Sequence, residues 1–122
     1  MNSLDMHVMP REIQLKNKSY QVIFDMNAFS HAEQAYAVEY GRMVNCGVII
    51  TEMMDGAISA LTALAYGALR SGGAKFSYAQ FVQEIFTYDQ FNQVYDVVSA
   101  ALLEAMGVDA TAESKSEETE KN

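Results

Sequence analysis

Basic residues, cysteine, histidine and proline are all scarce in this chain of 122 residues. Eight Lys and Arg stand against sixteen Asp and Glu, and the resulting formal charge of −8 repels phosphate backbones and anionic lipid. We therefore expect no nucleic acid and no membrane among its partners. The single cysteine, Cys46, has no second thiol in the chain for a disulfide, and this favours a reducing cytoplasm.

Long apolar runs are missing as well. The longest, residues 63–69, falls far short of the ~20 residues that a membrane-spanning helix needs. Residues 1–7 lack the basic start and apolar centre of a secretory signal. These features predict a cytoplasmic protein without a transmembrane helix.

Patterns that mark catalysis or metal binding are also missing. His7 and His31 lie far apart in the sequence, and no motif around Cys46 marks an activated thiolate. The paired carboxylates Glu117 and Glu118 lie in a segment where nothing would hold them at catalytic distance. The sequence therefore predicts a non-enzymatic protein with no cofactor and no metal.

The hydrophobic half of the composition predicts one globular domain. The order of polar and apolar residues near its start predicts a β-hairpin. Polar and apolar residues alternate from Glu12 to Lys16 and again from Tyr20 to Phe24, with an interruption at Asn17. Two strands alone are marginally stable, so the hairpin must lay one face on the helices that follow.

Capping signals and apolar repeats predict helices after the hairpin. The first begins at Asp25 or Asn27 and ends at Gly41, residues 44–54 are predicted as a loop entering a helix, and the next helix covers residues 55–70 with Ile58 on its apolar repeat. Residues 77–80 match a capping box that begins a short helix, and a second cap at residues 87–90 precedes a helix ending at Gly107.

The predicted fold is mainly α, a small domain of about four helices with a short N-terminal β-hairpin. Residues 1–107 form the helical domain. Residues 108–122 are predicted to be a disordered acidic tail, because from Asp109 onwards there are five acids, two lysines and no apolar residue larger than Ala.

Eight Met, seven Tyr and six Phe exceed what we expect the core of so small a domain to cover completely. Aromatic residues near helix ends, or off the clearest apolar stripes, can face both water and a partner. The six candidates for protein binding on these grounds are Tyr36, Tyr40, Tyr66, Phe76, Tyr78 and Tyr88.

The order of these segments resembles a known family. A β-ribbon is followed by the string FDMNAF at residues 24–29, by LTALAYGALR at residues 61–70 and by FSYAQF at residues 76–81. This layout resembles the tail assembly chaperones of long-tailed bacteriophages and the related prophage and gene-transfer-agent proteins. The likeness covers roughly residues 12 to 106.

The resemblance implies a non-enzymatic chaperone that coats the hydrophobic, helical tape-measure protein until tail-tube subunits displace it. Its implied partners are the tape-measure protein, the tail-tube protein and a frameshifted longer form of itself, with a homo-oligomer as a further possibility. It would be absent from the mature virion. Two alternatives stay open: another tail morphogenesis protein, such as a completion or connector subunit, or an unrelated helical adaptor.

The resemblance also implies a longer form made by a programmed minus-one ribosomal frameshift. Glu120, Lys121 and Asn122 can be encoded by codons that contain the slippery heptamer A AAA AAC or A AAA AAT. Leu15, Lys16 and Asn17 can be encoded with a similar heptamer, so the amino-acid sequence leaves both positions open.

Overall fold

A computed structural model describes residues 9–107 as a two-stranded hairpin followed by helices. The elements are β1 (Arg11–Leu15), β2 (Lys18–Val22), α1 (Met26–Tyr40), α2 (Cys46–Met54), α3 (Ile58–Ser71), α4 (Tyr78–Gln80), a π-helical turn (Phe81–Ile85), a 3₁₀ turn (Tyr88–Gln90) and α5 (Phe91–Ala105). The predicted mainly helical fold with an N-terminal hairpin is confirmed, with five α-helices where about four were expected. The predicted acidic tail lies outside the described residues.

The hairpin closes through a two-residue turn and lies on α3. Lys16 and Asn17 both have positive φ, 53° and 67°, as a type I′ turn requires, and this turn matches the natural twist of the paired strands. Ile13 and Leu15 share one buried face of the ribbon. The N–H of Ile23 then donates to the carbonyl oxygen of Ala68 at 3.2 Å, which ties the end of the hairpin to α3.

Helix α3 runs through the centre of the domain, and residues 60–69 are all buried. Its most extensive packing partner is α1, which comes so close that a Cβ placed on Gly67 would lie 2.3 Å from the carbonyl oxygen of Ala28. The absence of a side chain at Gly67 therefore allows the two helices to meet almost backbone to backbone.

Helix α2 follows a short loop, as predicted for residues 44–54. Asn45 caps it by accepting from the N–H of Val48 at 3.0 Å, and the N–H of Cys46 donates to the carboxylate of Glu33 at 2.7 Å. The next helix begins at Ile58 rather than at residue 55, because a turn with positive φ at Gly56 separates the two.

The last third of the described chain follows its predicted caps. Ser77 Oγ accepts from the N–H of Gln80 at 3.1 Å, and the N–H of Thr87 donates to Gln90 Oε1 at 3.2 Å. Between them the N–H of Phe86 donates to the carbonyl oxygen of Phe81 at 2.8 Å, which is the wider spacing of a π-helical turn. The predicted core stripe of α5 is confirmed, since the following residues are buried: Val94, Val98, Ala101, Leu102 and Ala105.

Candidate protein-binding groove

An open groove runs along the surface between α1, α3 and the chain from α4 to the start of α5. Three concavities of about 310, 350 and 190 Å³ form it, and neighbouring concavities share residues. We call it the aromatic groove, and define it by the residues Val38, Tyr40, Ile58, Tyr78, Val82 and Tyr88.

Large apolar side chains along the aromatic groove face solvent. The exposed fraction is 85% for Val38, 59% for Ile58, 44% for Val82 and 92% for Tyr88. A single exposed apolar residue is ordinary, but several that line adjoining concavities are typical of a surface that binds another molecule. The groove therefore has the character of a protein-binding site.

The floor of the aromatic groove is a cluster of stacked rings. The ring of Tyr66 meets that of Tyr78 edge to face at 5.2 Å, and Phe76 and Phe81 lie behind it. Arg70 fixes the cluster by donating to Tyr66 Oη at 3.2 Å and to the carbonyl oxygen of Phe76 at 3.0 Å. The floor is thus held by ring contacts and hydrogen bonds, while apolar residues above it are exposed.

The margin of the aromatic groove carries acidic and phenolic groups. Glu39 lines two of its three concavities. Burial, followed by the nearby Tyr40 and Glu39, raises the pKa of Tyr78 well above its ordinary value of 10.0. Tyr78 is therefore a neutral hydrogen-bonding group at physiological pH, and Glu39 supplies negative charge beside it.

Three of the six aromatic residues predicted for protein binding lie at the groove surface. Tyr88 is almost fully exposed, and Tyr40 and Tyr78 are partly exposed. Tyr40 and Tyr78 line the same concavity, and Tyr88 lies at the far end of the groove. Their role in binding a partner stays a prediction.

The other three were expected near helix ends or off the best core stripes, and the structure buries all three of them. Tyr66 is buried in the floor of the groove, and Phe76 is buried behind it. Tyr36 is also buried and faces α2, where its hydroxyl donates to Glu52 Oε1 at 2.7 Å and accepts from Arg42 at 3.2 Å. These rings hold helices together, so any effect on a partner would act through the groove that they support.

The exposed aliphatic residues of the aromatic groove were not predicted from the sequence. Ile58 was placed on the apolar repeat of α3, and the structure leaves it exposed because it is the first residue of that helix. Val38 lies off the apolar stripe of α1, and an apolar residue outside the stripe was the available signal of exposure.

A second apolar concavity of about 250 Å³ lies between α2 and α5. Met54 and Met106 are exposed at its edge, and Leu102 lies in its wall. The hydroxyl of Ser99 also lines it and has no hydrogen-bond partner within residues 9–107. This concavity adds to the exposed apolar surface but is smaller and separate from the aromatic groove.

The described residues hold no group of three or more His, Cys, Asp or Glu side chains that could bind a metal ion. Burial and the neighbouring Glu33 raise the pKa of the Cys46 thiol, the opposite of the shift that activates a nucleophilic cysteine. No helix within residues 9–107 is long and apolar enough to cross a membrane.

Comparisons of the chain with protein-family models, with curated proteins and with solved structures found no match.

Proposed function

We propose that this protein is a non-enzymatic phage tail assembly chaperone, which binds the tape-measure protein and keeps it soluble until tail-tube subunits polymerise. The observation that carries the proposal is the aromatic groove, where apolar side chains from α1, α3 and the π-helical turn are exposed along three adjoining concavities. The order of elements on which the family resemblance rests supports it as well.

The groove suits an amphipathic helix as its occupant. An open apolar groove binds such a helix through side chains spaced three and four residues apart, and aromatic and aliphatic walls accept many different sequences. An open groove also favours binding that can be reversed, because little of the partner is enclosed. A chaperone that tail-tube subunits must displace needs both properties.

The negative net charge of the chain supports the same proposal. The chain carries a formal charge of −8, and Glu39 lies beside the apolar surface of the groove. A complex that covers its apolar groove and keeps its negative charge repels other complexes, which limits aggregation. On this proposal the protein works in the cytoplasm of the bacterial host and leaves the tail before the virion is complete.

Co-expression with the tape-measure protein tests the proposal. The chaperone should raise the soluble fraction of the tape-measure protein, and Val38→Asp should remove that effect because a charge would face the partner's apolar stripe. We expect a loss of about 2 kcal/mol in binding, roughly thirtyfold in Kd. Since Val38 is exposed, this variant should remain folded.

Val48→Asp is the matched control, because Val48 is another exposed valine on a helix but lies outside the aromatic groove. It should solubilise the tape-measure protein as well as the wild type does. Equal loss in both variants, or no solubilisation by the wild type, would contradict the proposal. A protein inventory of purified virions separates the alternative of a retained completion or connector subunit, since a chaperone should be missing from it.

A further inference from the structure

Three exposed lysines converge on one cleft of an otherwise acidic protein. Lys16 comes from the hairpin turn, Lys18 from the start of β2 and Lys75 from the loop after α3, and they line a concavity of about 510 Å³. We call it the lysine cleft. Its wall includes Tyr20 and Phe76, whose rings meet edge to face at 5.6 Å.

The lysine cleft has an excess of positive charge. The other three basic residues of the described chain are already engaged: Arg11 pairs with Glu104 at 3.1 Å, Arg42 with Glu52 at 3.6 Å, and Arg70 with the groove floor. One acid, Glu84, lines the cleft beside the three lysines. The cleft therefore favours an anionic occupant, unlike the rest of the surface.

We propose that the lysine cleft binds the acidic C-terminal segment of the same chain, residues 109–122. This segment contains five acids and two lysines, a net charge of 2 − 5 = −3. Glu117, Glu118 and Glu120 fall within four consecutive residues, so one short stretch presents three carboxylates to three ammonium groups. The chain thus carries both members of a complementary pair.

The segment is long enough to reach the lysine cleft. Gln93 near the start of α5 donates to the carbonyl oxygen of Gln14 at 3.2 Å, so the hairpin turn lies beside the first turns of that helix. From there to Gly107 the chain advances about 21 Å at 1.5 Å per residue. The ten residues from Gly107 to Glu117 can span about 33 Å when extended, enough to return to the turn.

Tethering makes a weak contact effective. A tether whose length matches the distance gives an effective concentration in the millimolar range, so a few exposed ion pairs can keep the segment docked part of the time. Because these charges are exposed, docking must weaken as salt screens them. The docked segment covers the lysine cleft, and a more strongly anionic partner would displace it.

Paramagnetic relaxation measured by NMR tests this contact in the full chain. A nitroxide is attached at Thr119→Cys in a Cys46→Ser background, and amide signals are compared with those of the reduced label. We expect a maximum of broadening at residues 16–18 and 75–76, separate from any broadening near Gly107, where the segment is attached. The maximum should disappear in about 1 M NaCl, where the screening length is about 3 Å.

Charge variants at the two ends give opposite results. The triple change Lys16→Gln, Lys18→Gln and Lys75→Gln alters exposed side chains, and should remove the maximum without changing the circular dichroism spectrum. Neutralising Lys115 and Lys121 with Gln makes the segment more negative and should increase the broadening.

Three outcomes would overturn the proposal. The first is broadening that falls off smoothly from Gly107 with no maximum at the lysine cleft. The second is a maximum that survives the triple lysine change or high salt. The third concerns a mixture of two chains, one that carries the nitroxide at natural isotope abundance and one that carries the NMR isotope without a nitroxide. A maximum in this mixture would place the segment on a second copy. None of these depends on whether the aromatic groove binds a tape-measure protein.

Discussion

Gly67→Ala adds one methyl group where α1 and α3 come closest together. The added Cβ would lie 2.3 Å from the carbonyl oxygen of Ala28 and 3.0 Å from the backbone nitrogen of Ala32. Ordinary contacts of this kind lie at 3.4–4 Å, so α1 has to move away by about 1 Å. Both obstructing atoms belong to the backbone of α1, and no side-chain rotation can relieve the overlap.

Two opposing effects set the magnitude. Alanine is better than glycine inside a helix by about 1 kcal/mol, whereas forcing an extra carbon into a packed interface costs about 1–3 kcal/mol and occasionally more. Here the overlap is with backbone along the most extensive helix pair of the fold, so the cost belongs at or above the upper end of that range. We expect a net loss of about 2 kcal/mol in the free energy of unfolding.

Denaturant unfolding and thermal melting measure this loss. A change of about 2 kcal/mol should lower Tm by roughly 10 °C in a domain of this size. Gly47→Ala is the matched control: its Cβ would meet only a side-chain atom, the capping Oδ1 of Asn45 at 3.2 Å, which has to shift by a few tenths of an ångström, and Gly47 is exposed in α2. The control should stay within about 1 kcal/mol of wild type. If Gly67→Ala were as stable as the control, the close approach of α1 to α3 would be refuted.

Three further predictions concern the core, alkaline pH and the gene. Val98→Asp should abolish cooperative melting, because Val98 is only 1% exposed and an unpaired buried charge costs several kcal/mol, on the order of the whole stability of a small domain. The control Asn92→Asp, on the exposed face of α5, should melt normally. Because the pKa of Tyr78 is raised in the folded state, the folded state holds this proton to higher pH than the unfolded state, and the free energy of unfolding should fall as pH rises above 10.0. Denaturant titrations of Tyr78→Phe should show a smaller fall. An unchanged pH dependence in this variant would show that Tyr78 is not responsible. The codons for residues 120–122 should contain the slippery heptamer with an open minus-one frame beyond it, and codons that break it would remove the case for a longer form.

Local chemistry was sufficient to predict the hairpin and the first helix. The strand alternation, the polar residues of the turn and the cap at Asp25 each act within a few residues, and Asp25 Oδ1 accepts from the N–H of Ala28 at 2.9 Å as a cap should. The C-terminal end was equally local, because Gly41 takes the left-handed conformation with φ of 71°. These elements are readable because their signals do not depend on the rest of the fold.

A helix was predicted to follow a loop within residues 44–54, but the residue at which α2 begins was not predictable in the same way. Residues 48–51 are β-branched and favour a strand, and what overrides that preference comes from elsewhere in the chain. Glu33 on α1 accepts from the first N–H of the helix, and Ile49 and Met53 are buried against the core. A carboxylate thirteen residues away cannot be recognised as a cap from sequence spacing alone.

The aromatic groove shows why the contact residues were only partly identified. An aromatic residue near a helix end can be buried by a neighbouring element, as Tyr36 is against α2, or exposed, as Tyr88 is. The flanking sequence does not distinguish the two cases. Exposure depends on which helix turns extend past their neighbours, and this places Ile58 at the surface although it continues the repeat of α3. Partner binding should therefore respond more to Val38 and Ile58, which reach solvent, than to Tyr36 and Tyr66, whose loss would first be felt as a loss of stability.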